Sequence, residues 1–233
     1  MGIPMDKQGF IELLLESRAL RFGDFTTKSG RKSPYFVNVG SISTGKSLGK
    51  LADYYVAAFN EFAPEGVSHL YGPAYKGISL SVLLADRAYA QYGKNLKVSY
   101  NRKEVKAHGE GGQFIGANLA TGASVFIIED ILTGGTSIRE SVRFLRERGV
   151  SVCGALVGID RMEKGVKDGE SAKEEIEQEF GFPIYSIVTI AQIVSYLKER
   201  EVLGKVWLNN DRLSAINAYL SQYGSQTAAA PCH

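Results

Sequence analysis

The stretch VFIIEDILTGGTSIRES (residues 125–141) decides the fold class. A run of apolar residues leads to two adjacent carboxylates, Glu129 and Asp130, and the short loop TGGTS (residues 133–137) opens a helical sequence. A buried strand that ends in polar residues and turns into a helix is typical of an open α/β sheet, in which ligands bind beyond the carboxyl ends of the strands. The stretch therefore predicts a ligand site at the end of this strand.

The same alternation continues on both sides of this stretch. Apolar, uninterrupted segments predict strands buried on both faces, and amphipathic segments between them predict covering helices. We expect an α/β protein with a mostly parallel central sheet flanked by helices. The predicted strands cover residues 67–72, 96–102, 124–131, 150–161 and 183–190, and the helices cover residues 6–20, 46–62, 77–93, 136–148, 171–181 and 191–200. A strand, a polar turn and a second strand are predicted within residues 22–39.

Composition excludes several classes of protein. The chain has 233 residues, is 44% hydrophobic and 22% charged, and carries a net charge of +2, which argues against nucleic acid as a partner. No apolar run approaches the ~20 residues that span a bilayer, so no membrane partner is expected. Two cysteines make a disulfide framework improbable and favour a cytoplasmic location.

The loop after the carboxylates suits a sugar phosphate. Residues 133–137 offer backbone N–H groups, small side chains and hydroxyls at a helix N-terminus, where an anion is stabilised. Glu129 and Asp130 would repel a phosphate but suit sugar hydroxyls or a metal ion. This arrangement predicts a ribose 5-phosphate site. The alternative is an ordinary strand–turn–helix in which Thr133 or Thr136 caps the helix.

A second phosphate motif competes with the first. GSISTGKS (residues 40–47) has the P-loop pattern, and VFIIED could serve as its Walker B strand. Against an NTPase, the preceding YFVNV contains Asn38 and follows a proline, unlike the buried strand that usually feeds a P-loop. We interpret the motif as a turn into a helix capped by Ser43 or Thr44.

A basic, glycine-rich segment, NRKEVKAHGEGGQFIG (residues 101–116), interrupts the alternation. One interpretation is a lid that closes over an anion. The other is a solvated hairpin in which Glu104 and Glu110 balance the basic residues.

VFIIEDILTGGTS resembles the phosphoribosyl-pyrophosphate (PRPP) signature of type I phosphoribosyltransferases. TTKSGRKSPYFVN, YGPAYKGI, NRKEVKAHGEGGQFIGA and GIDRMEK, in this order, resemble the motifs of the orotate phosphoribosyltransferase family. The likeness runs from about residue 22 to residue 164. It implies one phosphoribosyltransferase domain over residues 1–233, with a small N-terminal hood mainly within residues 1–45, a mobile loop at 102–116 and a frayed tail at 225–233.

The resemblance also implies a reaction and its residues. The family transfers the 5-phosphoribosyl group from PRPP to orotate, with Mg²⁺ held mainly through PRPP and no dedicated metal ligands in the protein. It implies catalytic roles for Lys103, Lys106, His108 and Asp130. It implies PRPP contacts for Lys28, Tyr75, Lys76, Arg102, Lys103, Lys106, His108, Glu129, Asp130, Ile131, Leu132, Thr133, Gly134, Gly135, Thr136 and Ser137. It implies orotate contacts for Phe36, Val37, Thr133 and Arg161, and a homodimer in which Arg102 and His108 act in trans.

Residue chemistry supports these roles. The departing pyrophosphate gains charge in the transition state, so the cations of the basic loop would stabilise it. Arg161 suits a carboxylate through a bidentate fork, although it could instead be a surface arginine paired with Glu163 or Asp160.

Two positions depart from the family pattern. Glu129 replaces the aspartate that is usual at its position, and Val37 replaces a residue that is commonly aromatic. The rival functions are transfer to another base, which would not need Arg161, and a PRPP-sensing regulator, which would need a nucleic-acid-binding segment.

Overall fold

The computed structural model describes residues 5–27, 30–102, 114–167 and 169–229. The helices are α1 (Lys7–Glu16), α2 (Gly45–Phe62), α3 (Lys76–Tyr92), α4 (Thr136–Arg146), α5 (Ala172–Phe180), α6 (Ile190–Leu197), α7 (Asn210–Tyr223) and α8 (Gln226–Ala229). The strands are β1 (Leu20–Thr26), β2 (Lys32–Val37), β3 (His69–Tyr71), β4 (Lys97–Asn101), β5 (Phe114–Gly116), β6 (Ser124–Leu132), β7 (Ser151–Asp160), β8 (Ile184–Thr189), β9 (Glu201–Val202) and β10 (Lys205–Val206).

Six strands form the central sheet in the order β5-β4-β3-β6-β7-β8. All neighbours are parallel except β4 and β5, so the predicted mostly parallel sheet is confirmed. Tyr71 lies beside both Ser99 and Ile127, and Leu132 lies beside Asp160. The carboxyl ends of β3, β6 and β7 therefore meet at one edge of the sheet, where an open α/β fold binds its ligand.

Side chains of β6 alternate between two cores, which explains its continuous apolar sequence. Phe126 and Ile128 pack into a core with α1, α2, α3 and α6, whereas Val125 and Ile127 pack into a second core with α4 and α5. Since successive side chains of a strand point to opposite faces, a strand covered on both sides must be apolar throughout.

The strands β1 and β2 form a separate antiparallel hairpin, here called the hood hairpin. The helix predicted for residues 6–20 is wrong at its end, because α1 stops at Glu16 and Leu20 already pairs with Val37. In the described ranges, no helix is long and apolar enough to cross a membrane.

The sequence analysis did not predict the strands β5, β9 and β10 or the helices α7 and α8. Residues 114–116, assigned to the mobile loop, form the edge strand β5, and Phe114 packs against Phe144. The helix α7 packs against β2 of the hood hairpin. The frayed tail is wrong for residues 225–229, because the backbone N–H of Ser225 donates to the carbonyl of Met162 over 2.8 Å and Ala228 is buried. Residues 230–233 lie outside the described residues.

Candidate active site

The carboxylates of Glu129 and Asp130 lie near the end of β6, and both are buried. Oε2 of Glu129 accepts a 2.6 Å hydrogen bond from the hydroxyl of Ser137, and Oε1 accepts one of 3.0 Å from the N–H of Asp130. Burial, with the charge of Asp130 as the second cause, raises the pKa of Glu129 to about 7. Glu129 thus ties the strand end to the first turn of α4.

Lys76 joins this cluster from the first residue of α3. Its Nζ donates to Oδ2 of Asp130 over 2.7 Å. The two residues are 54 positions apart, and they meet because β3 and β6 are neighbours with a common direction. Tyr75, the other predicted PRPP ligand here, is exposed, and the peptide bond that joins it to Ala74 is cis.

Within the part of the chain that the structure describes, no side chain caps the N-terminus of α4. Gly135 occupies the N-cap position with φ 75° and has no side chain that could accept a capping hydrogen bond. Thr133 or Thr136 as the cap is therefore wrong. The first N–H groups of the helix have no intrahelical partner, and the field at a helix start favours an anion. Gly134 has open space around it, since an added Cβ would meet no atom within 4 Å.

The remaining residues of the predicted phosphate loop differ in how far their side chains are buried. Leu132 is buried in the second core, and its carbonyl accepts a 3.1 Å hydrogen bond from the N–H of Arg161. Ile131 and Thr133 are half-buried, whereas Thr136 and Ser137 are exposed. A cavity of about 300 Å³ lies beside this loop; its walls are formed by Tyr71, Pro73, Ala74, Asn101, Ser137, Glu140, Ser141 and Phe144.

Arg161 follows β7 and is only 6% exposed. Its Nε donates to Oε1 of Glu163 over 2.7 Å, and its guanidinium carbon lies 4.5 Å from the ring centroid of Tyr35. The alternative of a surface arginine is therefore wrong in its location, although the pairing with Glu163 is present. Because Glu163 already accepts a hydrogen bond from Nε of Arg161, the guanidinium cannot use its Nε side for the predicted bidentate contact with orotate.

Phe36 and Val37 lie on β2 and point to different surroundings. The ring of Phe36 lies 5.5 Å from that of Phe25, whereas Val37 is buried in the larger core. Among the described residues, β2 pairs only with β1. The contacts of both residues with orotate stay predictions.

Lys28, Lys103, Lys106 and His108 lie outside the described residues, so their predicted contacts stay predictions. Arg102 is described and exposed, directly after β4.

The P-loop interpretation fails on topology. The strand that precedes GSISTGKS is β2, which belongs to the hood hairpin and not to the central sheet. Thr44 caps α2, with a reciprocal capping box to Ser47, as the competing interpretation predicted.

Comparison with known proteins agrees with this geometry. Residues 40–187 match the phosphoribosyl transferase domain family. The chain is 44% identical over 219 residues to the orotate phosphoribosyltransferases of Clostridium acetobutylicum and of Lachnoclostridium phytofermentans; each alignment covers 94% of this chain and 97% of the relative. The chain belongs to the orotate phosphoribosyltransferase family.

A solved orotate phosphoribosyltransferase shares the fold as well. The crystal structure of the enzyme from Francisella tularensis superimposes with a TM-score of 0.79 and 34% sequence identity, covering 93% of this chain and all of that one. The family and the type I phosphoribosyltransferase fold, both inferred from the motifs, are therefore confirmed.

Some neighbours of Arg161 were missed by the sequence analysis. Glu163 entered only as a possible surface partner, and Tyr219 and Ser33 did not enter at all, although both contact Arg161. Glu163 could have been found from its position two residues after Arg161. Tyr219 has no local signal, because it lies 58 positions away on α7.

Proposed function

We propose that this protein transfers the 5-phosphoribosyl group from PRPP to orotate, giving orotidine 5′-monophosphate and pyrophosphate in pyrimidine synthesis. One observation carries the proposal: a carboxylate pair at the end of β6 lies beside an uncapped helix start at the ligand-binding edge of the sheet. The carboxylates would accept hydrogen bonds from the ribose hydroxyls, and the 133–137 loop would hold the 5-phosphate.

Lys76 would exchange partners when PRPP binds. In the described structure its ammonium is paired with Asp130, and the pyrophosphate carries more negative charge than one carboxylate. Transfer of Lys76 to the pyrophosphate would release Oδ2 of Asp130 for a ribose hydroxyl. A cation that follows the leaving group stabilises the transition state more than the ground state, because charge builds up there as the bond breaks.

Arg102, Lys103, Lys106 and His108 would complete the cationic surroundings of the pyrophosphate. Closure of their segment would exclude water, which would otherwise capture the sugar cation. We rank charge and hydrogen bonding by His108 above proton transfer.

Mg²⁺ is the cofactor that we propose. No group of three His, Cys, Asp or Glu side chains converges within the described ranges, and the carboxylate oxygens at the end of β6 are hard ligands of the kind that this ion prefers. Such an ion would be held mainly by PRPP oxygens, with Asp130 nearby. When bound, it would neutralise charge that develops on the pyrophosphate.

We propose a cytoplasmic homodimer. The exposed side chains of α3 include Val82 and Tyr89, about two helical turns apart, and Tyr75 just before the helix is exposed as well. Burial of such apolar side chains stabilises association. The 103–113 segment follows exposed Arg102 and would reach the neighbouring subunit, where Arg102 and His108 would act in trans.

The test is a spectrophotometric assay of the purified protein with orotate, PRPP and Mg²⁺. We expect Mg²⁺-dependent loss of orotate absorbance, and no turnover of uracil or hypoxanthine. Incubation with ATP is the control, and ATP hydrolysis would indicate an NTPase activity. Turnover of another base alone would replace the proposal with that specificity, and PRPP binding without any turnover would favour a PRPP-sensing regulator.

A further inference from the structure

The surroundings of Arg161 form a closed polar cluster that spans three parts of the fold. Arg31 and Ser33 come from the hood hairpin and its turn, Arg161 and Glu163 from the segment after β7, and Tyr219 from α7. Glu163 is the centre of this cluster and is 1% exposed. Its Oε1 accepts from Nε of Arg161 over 2.7 Å and from the hydroxyl of Tyr219 over 2.8 Å, and its Oε2 accepts from Nη2 of Arg31 over 2.9 Å.

These contacts immobilise one side of the Arg161 guanidinium. Besides Nε, the Nη2 nitrogen lies 2.7 Å from Glu163, 3.3 Å from the hydroxyl of Tyr219 and 3.4 Å from that of Ser33. Nη1 makes no hydrogen bond to any residue that the structure describes. The one nitrogen that remains available is therefore held at a defined place and angle.

Arg161 carries its positive charge at a buried position beside the predicted orotate site. Burial of a charge is costly, and a ligand of opposite charge lowers that cost. A base that carries one carboxylate would offer such a ligand to Arg161, whereas uracil or a purine would not.

We propose that Glu163 and Tyr219 are positioning residues for base selection: they hold Arg161 so that its free nitrogen meets the carboxylate of the incoming base. This inference rests on the proposed function. It makes the helix α7 part of the substrate-recognition apparatus. Glu163 is itself anchored, because its carbonyl accepts a 3.1 Å hydrogen bond from the N–H of Ala172 at the start of α5.

Steady-state kinetics of Glu163→Gln and Tyr219→Phe test the proposal. Loss of a buried charge-assisted hydrogen bond should raise KM for orotate about 10-fold or more in Glu163→Gln, and loss of one hydroxyl should raise it about threefold in Tyr219→Phe. KM for PRPP should stay within about twofold of the wild-type value in both variants, since the PRPP contacts are elsewhere.

A matched control exists on the other side of the molecule. The hydroxyl of Tyr196 donates to Oε1 of Glu12 over 2.7 Å, the same type of tyrosine–glutamate pair. Tyr196→Phe should leave both KM values unchanged. In an Arg161→Ala background, Glu163→Gln should add no further increase in KM for orotate, because Glu163 acts only through Arg161.

The possible outcomes separate the two proposals. If the wild-type protein consumes no orotate, the proposed function fails. If it does, and KM for orotate in both variants stays within about twofold of the wild-type value, the positioning role is overturned. If Glu163→Gln does not fold, Tyr219→Phe decides alone, since it removes a single oxygen atom. Equal increases in KM for orotate and PRPP would also overturn the inference.

Discussion

Two adjacent carboxylates at the end of β6 have different hydrogen-bond partners. Both oxygens of Glu129 are occupied by groups of the chain itself, whereas Asp130 is paired with the exposed ammonium of Lys76. The extra methylene of Glu129, compared with the usual aspartate, gives its carboxylate the length to reach Ser137. We infer that this glutamate supports the loop as well as the ribose.

The raised pKa of Glu129 predicts how stability changes with pH. The pKa of Glu129 is about 7 in the folded protein, whereas the ordinary value for a glutamate is 4.5. The contribution of the Glu129 carboxyl group to the free energy of unfolding is therefore fully present below about pH 4.5. This contribution is lost as the pH rises through about 7. The side chain introduced by Glu129→Gln cannot ionise. Between these two pH values, the free energy of unfolding of the variant relative to that of the wild type should therefore rise by about 2–3 kcal/mol.

Urea unfolding of both proteins from pH 5 to pH 8 measures this difference. Asp160, whose pKa burial raises to about 6, is present in both proteins and so cancels in the comparison. Parallel pH profiles of the two proteins would contradict the prediction.

At the scale of elements, the start of α4 depends on a glycine. Gly135 has φ 75°, and an added Cβ would lie 2.3 Å from Cδ1 of Ile176 on α5. Gly135→Ala should therefore lower the free energy of unfolding by about 2 kcal/mol, because it combines a left-handed backbone with an overlap in the core. Chemical denaturation measures the loss.

Gly134→Ala is the matched control for this prediction. Its added methyl group would meet no atom within 4 Å, so its effect on stability should stay within about 0.5 kcal/mol. An equal loss in both variants would indicate a general effect of loop stiffness instead.

The start of α2 gives a second prediction at this scale. Thr44 caps the helix through a capping box with Ser47, so Thr44→Ala should cost about 1 kcal/mol of stability. Lys46 is exposed in the same motif. Lys46→Ala should change neither stability nor turnover of orotate, measured by unfolding and by the absorbance assay. Loss of Mg²⁺-dependent ATP binding in that variant would revive the P-loop interpretation.

At the scale of the whole molecule, the proposed dimer predicts a difference between two valines of equal exposure. Val82 on α3 is 49% exposed and Val206 on β10 is 48% exposed. Val82→Asp should dissociate the dimer, because a charge would be buried in the interface, and should lower activity if the neighbouring loop acts in trans. Val206→Asp should do neither.

Analytical ultracentrifugation and the absorbance assay check both variants. A wild-type protein that sediments as a monomer would refute the dimer. Dissociation by Val206→Asp but not by Val82→Asp would place the interface on the β9–β10 hairpin instead of α3.

Local pattern was sufficient for the five parallel strands of the central sheet and for part of the candidate site. Glu129, Asp130 and the glycine loop are contiguous, so the strand–loop–helix signal could be recognised within 17 residues. It was insufficient for the cap of α4, because Gly135, with φ 75°, occupies the N-cap position in place of a threonine. It also misjudged residues 225–229, where the N–H groups of Ser225 and Gln226 donate to carbonyl groups of residues after β7.

The sequence alone determined the family and the order of the parallel strands with the helices between them, because apolar periodicity and contiguous motifs are properties of neighbouring residues. Only the tertiary structure decided that β2 lies outside the central sheet, that Lys76 meets Asp130, and that Glu163 and Tyr219 surround Arg161. These contacts join residues that are far apart in the chain. They exist because parallel strands bring their carboxyl ends to one edge and because α7 packs against the hood hairpin.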